Sequence, residues 1–158
     1  MADGATHTAA TVTVAVPAAV TAGLVTGDPG LAALAGAGCL AGVFISPDLD
    51  VNHRTESELL LWQVSPLVGF PFLLAWFPYA YVIDHRSPVS HLPLLGTLGR
   101  LLYLCAVLAL VQVHLNLLPV RIDLFFWTRY PTCTAVFVAG LALSDLVHWL
   151  LDGLPLSP

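Results

Sequence analysis

"TCTAVFVAGLALSDLVHWLLD", residues 132–152, is an apolar run that ends in a group of polar side chains. An α-helix needs about 20 mostly apolar residues to cross a bilayer, and this stretch is long enough. Asp145, His148 and Asp152 follow one another at i, i+3 and i+7, and residues at these spacings share one face of a helix. The stretch therefore predicts a membrane-spanning helix whose last turns carry two carboxylates and an imidazole.

The composition of the whole chain also favours a membrane protein. Of its 158 residues, 58% are hydrophobic and 9% are charged, whereas an ordinary soluble domain has about 25% charged residues. The length indicates a single domain, residues 1–158. The formal net charge is −5 and no basic patch is present, which argues against nucleic acid as a partner. The apolar composition favours membrane lipids as the surroundings of the chain.

Three further apolar stretches predict membrane-spanning helices, so we expect four in all. They are residues 9–27, 30–46 and 91–118. Gly36, Gly38 and Gly42 in the second stretch would allow neighbouring helices to approach closely. The predicted fold is an all-α integral membrane helical bundle.

A fifth apolar stretch, residues 59–83, differs because it contains Pro66, Pro71 and Pro78. Proline inside a helix removes a backbone hydrogen bond and kinks or breaks the helix. The stretch also carries tryptophans and tyrosines, which favour the headgroup region of a bilayer. We therefore predict a broken helix or re-entrant hairpin at the membrane face. With this topology nearly every Asp and His lies at one end of the bundle.

The segment "SPDLD", residues 46–50, adds Asp48 and Asp50 directly after the second predicted span. Carboxylate oxygens at this spacing suit a divalent cation. An ordinary loop after a membrane helix is the alternative interpretation.

The segment "VIDHRSPVSH", residues 82–91, adds His85 and His91, and Arg86 between them could bind a phosphate or a carboxylate. Arg100 lies too deep in the third predicted span to reach water easily, so we expect it to pair with an acidic residue of the site. Asp84 is a candidate for this partner, or alternatively an acceptor for one of the histidines.

Imidazole and carboxylate ligands without thiolates are typical of sites for Zn²⁺, Mn²⁺ or Fe²⁺, whereas Mg²⁺ and Ca²⁺ prefer fewer histidines. We expect zinc or manganese. The candidate ligands outnumber the four that a structural zinc needs, and the surplus predicts two metal ions.

Four motifs together resemble a known family. They are "GATHTAAT" (4–11), "SPDLD" (46–50), "HRSPVSHLPLLGTLGRLLYL" (85–104) and "SDLVHWLLD" (144–152). The chain resembles small membrane proteins known as uncharacterised metal-binding proteins, which are similar to bacterial inner-membrane metal-dependent hydrolases. The resemblance covers almost the whole chain.

The resemblance implies a metal centre built from histidines and aspartates. The implied ligands are His7, Asp48, Asp50, His85, His91, His148 and Asp152. Arg86, Ser90 and Asp145 would support the site, with Arg86 and Asp145 as its catalytic residues. The chain departs from the family at Thr8, where relatives tend to have an aspartate.

The function hypothesis is a metal-dependent hydrolase that acts on a phosphoester or lipid headgroup at the membrane. One alternative is a non-catalytic protein that binds or handles metal ions. A second is a structural membrane protein whose polar cluster only solvates the end of the bundle.

Overall fold

The structure is a computed structural model, and it describes residues 3–51, 54–115 and 126–153. Within these residues the chain is helical and has no β-strand, which confirms the predicted all-α class. The helices are α1 (Gly4–Thr26), α2 (Pro29–Ala41), α3 (Glu56–Val64), α4 (Pro66–Val82), α5 (Pro88–His91), α6 (Pro93–Leu115), α7 (Phe126–Arg129) and α8 (Pro131–Leu151). A 3-10 turn, Pro47–Asp50, lies between α2 and α3.

Within the described residues, three helices are long and apolar enough to cross a membrane, namely α1, α6 and α8. They correspond to three of the four predicted spans, and residues 116–118 of the third span lie outside the described residues. The second predicted span is shorter than expected, because α2 has only 13 residues. After Ala41 the backbone tightens, and the amides of Gly42, Val43 and Phe44 each donate to the carbonyl three residues earlier.

Helices α1, α2 and α8 form the centre of the bundle, and glycines bring α2 and α8 together. A Cβ atom on Gly38 would lie 2.0 Å from the carbonyl oxygen of Phe137, and one on Gly140 would lie 2.1 Å from that of Ala35. Any side chain at either position would push the two backbones apart. The predicted role of the glycines in close packing is thus seen on the face of α2 that meets α8.

Residues 59–83 form two helices of a hairpin, α3 and α4, which are separated at Ser65. Pro66 occupies the first turn of α4, where its missing N–H costs nothing. The predicted broken helix is seen, with its break at Ser65, and Pro71 and Pro78 lie within a continuous α4. Tertiary packing can hold a helix against poor local propensity.

The packing that holds α4 also positions the 3-10 turn. Trp76 and Tyr79 are buried together with Leu49 of the turn. The ring of Tyr103 in α6 lies 5.4 Å from that of Trp76, centroid to centroid. These aromatic side chains link α4, the 3-10 turn and α6. Because Asp48 and Asp50 flank Leu49 in the turn, the same packing positions both carboxylates.

Candidate metal centre

Four imidazoles and three carboxylates alternate along a row at one end of the bundle, which we call the ligand row. Its order is His7, Asp152, His148, Asp48, His91, Asp50 and His85. These are the seven residues that the resemblance implied as ligands, and the structure brings all of them together. Each carboxylate stands between two imidazoles, so three overlapping groups of one carboxylate and two imidazoles result, each with its ligand atoms within 4.8 Å of one another.

One end of the row consists of His7, His148 and Asp152, which lie on or directly after the long helices α1 and α8. We call it the helix-borne end. The Nε2 atom of His7 lies 3.2 Å from Oδ1 of Asp152, and Nε2 of His148 lies 3.6 Å from Oδ2 of the same carboxylate. The rings of His7 and His148 are stacked, with centroids 3.7 Å apart. Asp3 caps α1 by accepting from the amide of Thr6, and the helix therefore already includes His7.

The other end of the row consists of Asp50, His85 and His91, which lie on short segments. We call it the loop-borne end. Oδ1 of Asp50 lies 2.7 Å from Nδ1 of His85, and Oδ2 lies 3.3 Å from Nδ1 of His91. The hydroxyl of Ser90 donates to Oδ2 of Asp50 at 2.6 Å, and the amide of Arg86 donates to the same oxygen at 3.2 Å. Hydrogen bonds to a single carboxylate thus hold this end together.

Asp48 lies between the two ends. Its Oδ1 atom is 3.3 Å from Nε2 of His148, and it forms the middle group of the row with His148 and His91. The side chain of Asp48 is 31% exposed, whereas that of Asp50 is fully buried. Asp48 is therefore the carboxylate that can face both a bound ion and the solvent.

Burial and neighbouring groups shift the pKa values of Asp48 and Asp50 in opposite directions. Burial favours the neutral acid at Asp48, but the adjacent imidazole of His148 outweighs it, and the pKa of Asp48 is lowered. At Asp50 burial is likewise outweighed, here by hydrogen bonds from His91 and Ser90, and the pKa of Asp50 is lowered. Both side chains are therefore anions at neutral pH, which is the form that binds a cation.

Two ring nitrogens of the row are buried without a hydrogen-bond partner in the described part of the chain. They are Nδ1 of His7 and Nε2 of His91. A buried polar atom left without a partner costs about 1–3 kcal/mol, so native proteins rarely keep one without a reason. A metal ion would accept these lone pairs. The donors present fit a divalent ion of the zinc or manganese type.

Arg100 and Asp145 form a buried ion pair next to the loop-borne end. The guanidinium of Arg100 donates through Nη2 to Oδ2 of Asp145 and through Nη1 to the carbonyl oxygen of Ser90, the latter at 2.6 Å. The expected pairing with an acidic residue is seen, but the candidate Asp84 was wrong, since α8 places Asp145 against α6. Asp145 belongs to none of the three ligand groups.

Arg86 has an unusual backbone conformation beside the row. Its φ angle is 64°, in the left-handed region that non-glycine residues rarely adopt. Nε and Nη2 of its guanidinium are buried and have no hydrogen-bond partner among the described residues. Strained residues with unsatisfied donors cluster at functional sites, which fits the predicted role of Arg86 in binding an anion.

Arg54 is a site residue that the sequence motifs did not single out. It lines the cavity in front of the row together with His7, Asp48, His85 and Asp152. No spacing rule connects it to the ligands. The signal available was its rarity, as one of five basic residues in the chain.

The fold and the ligand row define a helical protein with a metal centre of histidines and aspartates. A family model described as "Uncharacterized metal-binding protein (DUF2227)" matches residues 2–157, and the chain belongs to this family of metal-binding proteins.

A protein of Aquifex aeolicus (strain VF5), named "Uncharacterized protein", is 36% identical over 70 residues, which are 44% of this chain and 43% of the relative. The match therefore spans less than half the length of that relative. No solved structure matches the chain significantly.

Proposed function

We propose that the protein is a membrane-embedded hydrolase that uses two divalent ions, zinc or manganese, to cleave phosphoesters. One observation carries the proposal: the two ends of the ligand row share no residue, and each offers two imidazoles and one carboxylate. Each end can thus hold an ion by itself and leave coordination positions open. Asp48 stands between the ends, so its carboxylate would be available to an ion held beside His148 or His91.

The chemistry follows from the charges of the row. Divalent ions held there would supply a water of lowered pKa and would stabilise negative charge on the reacting phosphate. Arg86 would bind a phosphate oxygen through its unsatisfied guanidinium donors. Asp145 lies outside the three ligand groups and pairs with Arg100, so we assign it to positioning.

A membrane location is supported by three helices long and apolar enough to span a bilayer and by the polar row at one end of the bundle. Charged and imidazole groups are costly at membrane depth, and a row at the end of the bundle avoids that cost. The proposed localisation is integral to a membrane, with the row at the headgroup level.

The first experiment counts metal ions in detergent-purified protein by elemental analysis and then assays p-nitrophenyl phosphate and phosphatidic acid. We expect two ions per chain in the parent and one in each of the single variants His85→Ala and His148→Ala. The matched control is His114→Ala, because this exposed imidazole bonds to the carbonyl of Leu110 in α6 and belongs to none of the three ligand groups. If the protein binds two ions but hydrolyses neither p-nitrophenyl phosphate nor phosphatidic acid, the hydrolase proposal is wrong.

A non-catalytic role in metal handling is the second candidate, and the overlap of the three ligand groups favours it. Neighbouring groups share His148 or His91, so an ion could pass from one group to the next along the row. This candidate predicts bound metal, exchange with free metal on the time scale of seconds, and no hydrolysis.

A further inference from the structure

The cavity in front of the ligand row adjoins an apolar groove. The cavity, of about 300 Å³, is lined by ligands from both ends of the row, among them His7, Asp152 and His85. The groove, of about 430 Å³, is formed largely by α4. Val51 and Arg54 line both spaces, so the two meet at these residues.

The groove is suited to an aliphatic chain. Its α4 wall consists of Leu73, Trp76, Phe77, Ala80 and Tyr81. Its one carboxylate, Glu58, is already engaged, since its side chain accepts from the amide of Thr55 in the capping box of α3. Ligand sites of drug-sized molecules have volumes of about 300–1,000 Å³, and the groove lies within that range.

Arg54 stands where the polar cavity and the apolar groove meet. Among the described residues that line the two spaces, it is the one arginine or lysine. Its guanidinium carbon lies 5.6 Å from the centroid of the Trp62 ring, so the indole face supports the cation while the residue stays exposed. A cation at this junction matches an anion whose apolar tail continues into the groove.

We infer that the substrate is an amphipathic phosphate ester with one long aliphatic chain. The inference rests on the proposed function, because it assigns the substrate of the same ligand row. The phosphate lies between the row and Arg54, and the chain lies in the groove along α4. Hydrolysis breaks the P–O bond, adds the hydroxyl of water to phosphorus and transfers the remaining proton to the chain oxygen. The products are a long-chain alcohol and inorganic phosphate.

A second apolar space, of about 580 Å³, lies among α2, α6, α7 and α8. None of the seven row residues lines it, and neither does Arg54. Among the described residues that line this space, none is an arginine, a lysine or a histidine. The α4 groove, in contrast, adjoins the cavity in front of the ligand row, and we therefore place the aliphatic chain there.

The test uses full-length, metal-loaded protein in nanodiscs and a dodecylphosphonate that carries a diazirine on its chain. A phosphonate is not hydrolysed, so labelling reports binding without turnover. We expect labels on residues 66–82, displaced by dodecyl phosphonate but not by methyl phosphonate, because each buried methylene adds about fourfold to affinity. The variant Ala80→Trp fills the groove and should lower labelling about tenfold or more, whereas Ala135→Trp, on an exposed position of α8, should not.

The same variants separate this inference from the proposed function. Ala80→Trp should lower kcat/KM for dodecyl phosphate by a larger factor than kcat/KM for p-nitrophenyl phosphate, which has no aliphatic chain to place in the groove. Labels spread over all lipid-facing helices, and unchanged in Ala80→Trp, would mean ordinary lipid contact and would overturn the inference. Equal kcat/KM values for short and long phosphate esters would overturn it too, while the hydrolase proposal stands. If no ester is cleaved, the hydrolase proposal fails, and specific labelling of 66–82 still establishes the chain site.

Discussion

The two ends of the ligand row offer the same donors on different supports. At the helix-borne end, His7 and Asp152 sit on the adjoining ends of α1 and α8, and their side chains are 9% and 4% exposed. At the loop-borne end, Asp50 collects hydrogen bonds from short segments, and His85 is 37% exposed. The backbones of long helices position the residues of the helix-borne end. Hydrogen bonds to the Asp50 carboxylate hold the loop-borne end together. We expect the loop-borne end to be the more adaptable and the weaker binder.

Removing one imidazole from each end gives the largest expected effect. The double variant His85→Ala/His148→Ala leaves neither end with its three donors, so metal content should fall from two ions per chain to none. Elemental analysis of folded, detergent-purified protein checks this, with His114→Ala as the control that keeps both ions. Retention of one ion by the double variant would contradict the assignment of one ion to each end, because His148→Ala removes a donor from the middle group as well.

The next largest effect concerns the buried pair that connects α6 and α8 to the loop-borne end. Asp145→Ala leaves the Arg100 guanidinium buried without its carboxylate, which should cost about 3–5 kcal/mol of unfolding free energy. Chemical unfolding in detergent, followed by circular dichroism, measures it. The double variant Arg100→Met/Asp145→Leu removes both charges and should recover most of the loss. If the double variant is as unstable as the single one, packing rather than the unpaired charge is the cause.

A smaller effect distinguishes the two ends directly. Ser90→Ala removes the hydroxyl that donates to Asp50, so it should weaken metal binding at the loop-borne end by roughly 10–100-fold and leave the helix-borne end unchanged. Calorimetric titration of metal-free protein resolves the two binding steps. Thr11→Ala is the matched control, because Thr11 bonds to Ser144 and not to a ligand. Equal weakening of both steps would contradict the independence of the ends.

The smallest effect tests the strain at Arg86. Glycine adopts a positive φ without steric cost, whereas alanine keeps a Cβ and lacks the guanidinium. Arg86→Gly should therefore be more stable than Arg86→Ala by about 1 kcal/mol in unfolding free energy. Both variants should bind phosphonate more weakly than the parent. Equal stability of the two variants would mean that the left-handed conformation relaxes when the guanidinium is lost.

Local features of the chain determined the class of fold and the residue types of the site. Apolar length alone predicted the helices that became α1, α6 and α8. Helical spacing placed His148 and Asp152 on one face, as observed. These predictions succeed because they depend on residues within a few turns of one another.

Tertiary contacts decided what the same local rules could not. Spacing grouped Asp145 with His148 and Asp152, yet packing of α8 against α6 turns Asp145 to Arg100 and away from the ligand groups. Proline content predicted a broken helix over residues 59–83, but it did not show that the break would lie at Ser65 while Pro71 and Pro78 stay inside α4.

The ligand row is the plainest case of a feature that only the tertiary structure decided. The sequence determined which residues could bind a metal ion, and the topology placed them at one end of the bundle. Their alternating order, with Asp50 and His85 joined across 35 positions of the chain, arises only when α1, α8 and the hairpin pack together. Contact between distant residues depends on how whole helix faces fit, and no local spacing encodes that fit.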